Sequence, residues 1–177
     1  MLIRLCTMCL LFPAVVFAQQ SSNMTASMPG MNHPGYKMIS GKDHPELIPD
    51  LTAYHMYFMV VGELPNPSTK ALARQKACLA KMPGMKDADS QAIARIIGAY
   101  KLQWTSMVND YNARVDAAAR IGGTPPDAAV FLRQRDQLVQ QYLCTIRKTL
   151  SPAGMKQFEG HIQEQKAHMQ ITAPEGQ

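Results

Sequence analysis

ADSQAIARIIGAYKLQWTSMVNDYNARVDAAARI, Ala88 to Ile121, is the stretch whose reading decides the fold. Its large apolar residues, Ile93, Ile96, Ile97, Tyr100, Trp104, Met107, Tyr111 and Val115, recur at steps of three and four, the period of one helix face. A single helix of about 34 residues reaches roughly 50 Å at 1.5 Å per residue. Other elements must therefore lie along it.

Downstream, Gly122-Gly123-Thr124-Pro125-Pro126 is a turn. So few connecting residues force the next helix to fold back antiparallel on the long one. Thr124 is the expected cap of that helix, Pro125 its first residue, and Phe131, Leu138, Val139, Tyr142, Ile146 and Leu150 its stripe. Ser151-Pro152 repeats the cap-plus-proline signature and opens a last helix with Met155, Phe158, Ile162 and Met169 on one face. The tail is expected to fray from Thr172.

Upstream, the run Tyr54 to Val61 is apolar nearly all round, which implies a buried helix, with Asp50 and Thr52 as cap candidates and Gly62 as its end. A further helix opens at Asn66 or Ser68, places Leu72, Leu79 and Met82 on one side, and stops before Pro83-Gly84. Asp87 or Asp89 is expected to cap the long helix. The expectation is an all-α fold: a bundle of about five helices built on a long antiparallel helical hairpin, occupying residues 49–171, with a frayed tail at 172–177.

The first eighteen residues do not belong to that domain. Arg4, the apolar run Leu5 to Phe17 and the ending Val16-Phe17-Ala18 have the pattern of a secretory signal peptide. The run is too short to span a bilayer, which takes about 20 apolar residues, so export to the periplasm or medium without a stable membrane anchor is expected. Residues 19–48 lack helical or strand periodicity and are rich in Ser, Asn, Gly and Pro. They read as a disordered or weakly held arm.

Processing after Ala18 leaves two of the four cysteines, Cys78 and Cys144. In an oxidising compartment an even pair points to a disulfide, here closing a loop of about 65 residues worth roughly 4 kcal/mol. Ideal parallel packing of the helices would offset the two by about eleven residues, or about 16 Å, whereas bridged Cα atoms lie about 5.5 Å apart. The expected bridge therefore requires a steep crossing or a sliding loop between residues 82 and 87.

Methionine is the compositional signal, with eleven of thirteen following residue 18 and Met-Pro-Gly-Met occurring at 28–31 and 82–85. Thioethers are soft ligands that select Cu(I). Met24, Met28, Met31, His33 and Met38 in the arm form a candidate Cu(I) or Ag(I) set; as filler or spacer they carry no ligand. His161 and His168, seven apart on the last helix, suit solvated positions better than a metal pair, whose usual spacing is three or four. His55 reads as a satisfied core residue.

No catalytic pattern is present: no paired carboxylates, Gly-rich phosphate loop, Gly-x-Ser-x-Gly elbow or His-Glu-x-x-His. All but Arg4 of the 18 Lys and Arg remain after processing, against 13 Asp and Glu, and they are scattered. Without a basic run or aromatic platform, nucleic acid is not an expected partner.

Leu150-Ser151-Pro152-Ala153-Gly154, opening a helix in a small exported helical chain rich in Met, resembles the Leu-Thr-x-x-Gln signature of the periplasmic family that includes the Spy and CpxP stress chaperones. Ser151 stands for Thr and Gly154 for Gln. The resemblance implies long helical hairpins, sometimes dimeric, that hold unfolded clients or sense envelope stress, with Leu150 and Ser151 as packing and cap. The functional expectation is a non-enzymatic exported interaction module with protein clients or a second copy as partner; the alternatives are a Cu(I)/Ag(I)-binding protein and a structural envelope protein without ligand.

Overall fold

The computed structural model describes residues 36–174. The elements are β1 (Tyr36–Ser40), a short 3-10 turn (Pro45–Leu47), α1 (Asp50–Val61), α2 (Thr69–Leu79), α3 (Asp87–Arg120), α4 (Ala128–Thr149), α5 (Pro152–Lys166) and β2 (Gln170–Pro174). The chain is mostly helical, as expected, with five α-helices among the described residues. No described helix is long and apolar enough to cross a membrane.

α1 is the centre of the base. It buries Ala53, Tyr54, Tyr57, Phe58 and Val61 on one broad face, while Val60 on the other side is exposed, so the apolar run is buried on one face and not all round as expected. It packs on α2, α3, α4 and α5. Phe58 is fully buried, with its ring 4.9 Å from that of Tyr100 on α3 and 6.5 Å from that of Phe158 on α5. Its C-terminal carbonyls are satisfied from outside the helix: Gln75 Nε2 donates to Val61 O at 3.0 Å and Lys101 Nζ to Gly62 O at 2.7 Å. The cation at a helix C-terminus also complements the dipole.

Three caps differ from expectation. α4 opens at Asp127, whose carboxylate accepts from the Ala129 amide at 2.8 Å, and not at Thr124. A residue before proline is disfavoured in the helical region, so Pro126 keeps Pro125 extended and passes the cap to the first residue beyond both. Pro49, not Asp50 or Thr52, precedes α1 and offers no side-chain cap. Asp89 is not a cap of α3: it is buried and reaches across to α5, accepting from the Ser151 amide at 3.0 Å and the Ser151 hydroxyl at 2.6 Å. Ser151 Oγ in turn accepts from the Gly154 amide at 3.0 Å, capping α5. A Cβ on residue 154 would strike Asp89 Oδ2, so this carboxylate explains the glycine.

The ends of the domain also differ. Tyr36 to Ser40, expected within the arm, pairs antiparallel with Gln170 to Pro174, expected as helix end and frayed tail; Ile39 faces Ile171 in the register. Neither run carries strand alternation long enough to announce itself, and a two-stranded ribbon is marginal alone. It is held because Ile39, Ile48 and Met169 bury into the base. Gly41 donates to Met169 O at 2.8 Å and passes so close to the end of α5 that a Cβ would strike Lys166 O.

The Cys78–Cys144 bridge is not formed. Both thiols are free, Cys78 half-buried and Cys144 exposed. α2 packs on α1 and α3 while α4 packs on α3 and α1, so the two cysteines stand on helices separated by others. The offset inferred from parallel packing was the better guide.

Candidate functional site: an open hairpin and the groove at its root

α3 and α4 outrun the base. The buried residues of α3 end at Tyr100 and those of α4 begin at Leu138. From Lys101 to Gln137 no residue is buried. About 20 residues of α3 beyond Tyr100 give a projection of roughly 30 Å.

An aromatic seam holds the two strands of this hairpin together. Phe131 stacks on Tyr111 at 4.4 Å and tilts against Trp104 at 5.2 Å. The Tyr111 hydroxyl donates to Pro126 O at 3.3 Å, and the Tyr142 hydroxyl to Gln103 Oε1 at 3.0 Å near the root. Outside the seam, Val130 and Leu132 are exposed, and Ile121 at the tip is 83% exposed. Two helices give each other one apolar face only; a third element would be needed to bury the rest.

At the root, the loop after α1, α2 and α3 bound a shallow groove of about 550 Å³ lined by Leu64, Pro65, Pro67, Leu72, Ala99 and Leu102. Leu64, Leu72 and Leu102 are between 39% and 50% exposed. Single exposed leucines are ordinary, but three meeting in one groove form a contiguous apolar patch. Leu72 corrects its expected place: Leu79 and Met82 bury from that region, and Leu72 faces the groove. Glu63 at the rim is paired with Arg74 at 2.7 Å.

The histidines divide. His55 is satisfied, its Nδ1 2.6 Å from the Tyr100 hydroxyl and its ring 4.8 Å from that of Trp104, edge on. Burial, with a smaller contribution from the Arg135 charge, holds its pKa down to about 4, so the ring is neutral at pH 7. His161, expected in solvent, is buried, whereas His168 is exposed. Of the arm's Met/His set, Met24, Met28, Met31 and His33 lie outside the described residues, and Met38 sits exposed on β1. Among the described residues no three His, Cys, Asp or Glu side chains are grouped to hold a metal ion.

The groove was missed in the sequence because leucine at helix spacing reads first as core. The signal that could have found it is Leu64-Pro65-Asn66-Pro67: two prolines hold the loop extended, and Asn66 takes a left-handed φ of 60°, so the loop stands off α3. No model of a protein family matches the chain, and searches of curated proteins and of solved structures return no match.

Proposed function

We propose that the protein is a non-enzymatic, exported helical interaction module that holds apolar segments of partly unfolded proteins in the root groove and along the hairpin. The observation that carries this reading is the convergence of Leu64, Leu72 and Leu102 in one open groove beside a hairpin without a buried residue. Such surface is costly to leave in water and is kept where a partner covers it. The polar groups that could suggest chemistry are engaged in structure: Asp89 in the α5 cap and His55 against Tyr100. The signal-peptide pattern of residues 1–18 supports export, and the Ser151 cap agrees with the helix opening of the stress-chaperone resemblance.

The test is suppression of aggregation of a reduced, unfolding client by the chain beginning at Gln19, beside the double variant Leu72→Asp/Leu102→Asp. Because both leucines are about half exposed, each change should cost no more than about 0.5 kcal/mol of stability. Holding activity lost at unchanged melting temperature is the expected result. Activity equal to wild type in the double variant would remove the groove from the account, and a wild-type chain that sediments as a stable dimer with the groove protected would assign the surface to a second copy.

A further inference from the structure

Apart from the leucine groove, α1, α2 and the end of α5 bound a pocket of about 190 Å³ that is open to solvent on one side. Met56 and Tyr57 of α1, Cys78 of α2, His161 of α5, and His168 and Met169 beyond it all line this space. Three sulfurs and two imidazoles thus line one pocket, carried by α1, by α2, and by α5 with the residues that follow it.

One polar group in this wall lacks the partner burial demands. Tyr57 is 5% exposed and its hydroxyl has no hydrogen-bond partner among the described residues, an arrangement that ordinarily costs about 1–3 kcal/mol. Tyr57 and Cys78 line the same pocket. His161 is 6% exposed, its ring 5.5 Å from that of Tyr57 and edge on, with Nδ1 3.9 Å from Glu164 Oε2, too long for a hydrogen bond. Burial lowers its pKa, opposed by Glu164 and aided by Lys81.

The donors select the ligand. No carboxylate lines the cavity, whose side-chain oxygens are the Tyr57 hydroxyl and the Gln165 amide, so a hard cation finds no anionic oxygen set, and among the described residues no three His, Cys, Asp or Glu side chains are grouped as a structural zinc site requires. Thiolate and thioether select Cu(I) or Ag(I). Charge agrees: a monovalent ion on one thiolate is neutral, whereas a divalent ion would add net positive charge beside Lys81, which also lines the pocket.

We propose that this cavity binds one soft monovalent ion, Cu(I) or Ag(I), with the Cys78 thiolate and a His161 nitrogen as principal donors and the Met56 and Met169 thioethers completing the shell. On binding, the thiol proton passes to water, a sulfur lone pair bonds the ion, and no electron is transferred. The unpaired Tyr57 hydroxyl, in the same wall, is then a donor for the thiolate. The site is distinct from the Met/His set of the N-terminal arm and from the proposed client groove.

The experiment is an anaerobic titration with Cu(I) against a chromophoric Cu(I) chelator, using the chain from Gln19 with Cys144→Ser so that Cys78 is the single thiol. One equivalent is expected to bind. Cys78→Ser should weaken it about 100-fold, and Met56→Leu, which keeps the shape of the wall, about tenfold. A variant lacking residues 19–35 should bind as wild type, and X-ray absorption should report both sulfur and imidazole ligands. No binding above the chelator, unchanged affinity in Cys78→Ser, or loss of binding with residues 19–35 would each overturn the proposal. Should Cys78→Ser fail to fold by circular dichroism, Met56→Leu and the ligand spectrum decide in its place.

Discussion

The base and the hairpin share α3 and α4 and behave as different materials. Between Asp87 and Tyr100, α3 buries Asp89, Ile93, Ile96, Ile97 and Tyr100; over the twenty residues that follow it buries none. The amphipathic period continues without a break through Trp104, Met107, Tyr111 and Val115. What changes is the number of neighbours. Around Tyr100 stand α1 and α4, whereas beyond Trp104 only α4 remains. Periodicity specifies which face seeks burial, and the count of surrounding elements decides how much burial that face obtains.

The sharpest way to break this comparison is to remove one aromatic ring from each region. Phe158 is fully buried among Tyr54, Tyr57 and Phe58, and Phe158→Ala is expected to cost about 3–5 kcal/mol. Phe131, half-buried between Trp104 and Tyr111, has less area to lose, and Phe131→Ala is expected to cost about 1–2 kcal/mol. Urea unfolding of both variants checks the ranking. Equal losses would mean that the hairpin is as well packed as the base.

A smaller effect, set by pH, sharpens the comparison at the boundary between the regions. His55 has a folded pKa near 4 because of burial, below its unfolded value of about 6.5. Between those values the unfolded chain binds the proton and the folded one does not, so stability falls as pH drops from 6.5 toward 4. Each unit of separation is worth about 1.4 kcal/mol before the ring's partial exposure is discounted. The lowered pKa of His161 acts in the same direction. Asp89, lowered by its hydrogen bonds from Ser151, and Asp50, lowered chiefly by Lys166, withdraw their contributions only at lower pH, as they protonate below the usual carboxylate value. Melting temperatures at pH 7, 5.5 and 4.5 should decline for wild type and decline less for His55→Gln. A flat profile would show that His55 is not buried neutral.

The same distinction between period and neighbourhood separates what was legible in the sequence from what was not. The long helix was read as 88–121 and runs 87–120, because its period and its Gly122-Gly123 stop are local signals. Ser151-Pro152 as an α5 start was local too, and holds. The β1–β2 ribbon pairs residues 130 to 138 positions apart, with no alternation long enough to read in either run, so nothing local announced it. Gly154 is intelligible only once Asp89 is known to sit against it. The cysteines show the opposite lesson: compartment reasoning favoured a bridge, yet the helix register already placed the two thiols far apart. Both proposed sites, the leucine groove and the sulfur-lined cavity, join residues from three or more elements, and no spacing along one element could have revealed them.

The most direct test of the central claim is native-state hydrogen exchange on the isolated chain. The account predicts that amides of α1 and of α3 from Ile93 to Tyr100 exchange only through global unfolding. Amides from Trp104 to Ala118 and from Phe131 to Gln137 should exchange through local openings of lower free energy. Uniform protection along the whole of α3 in a monomer would contradict it, showing that the hairpin needs no partner to be as stable as the base.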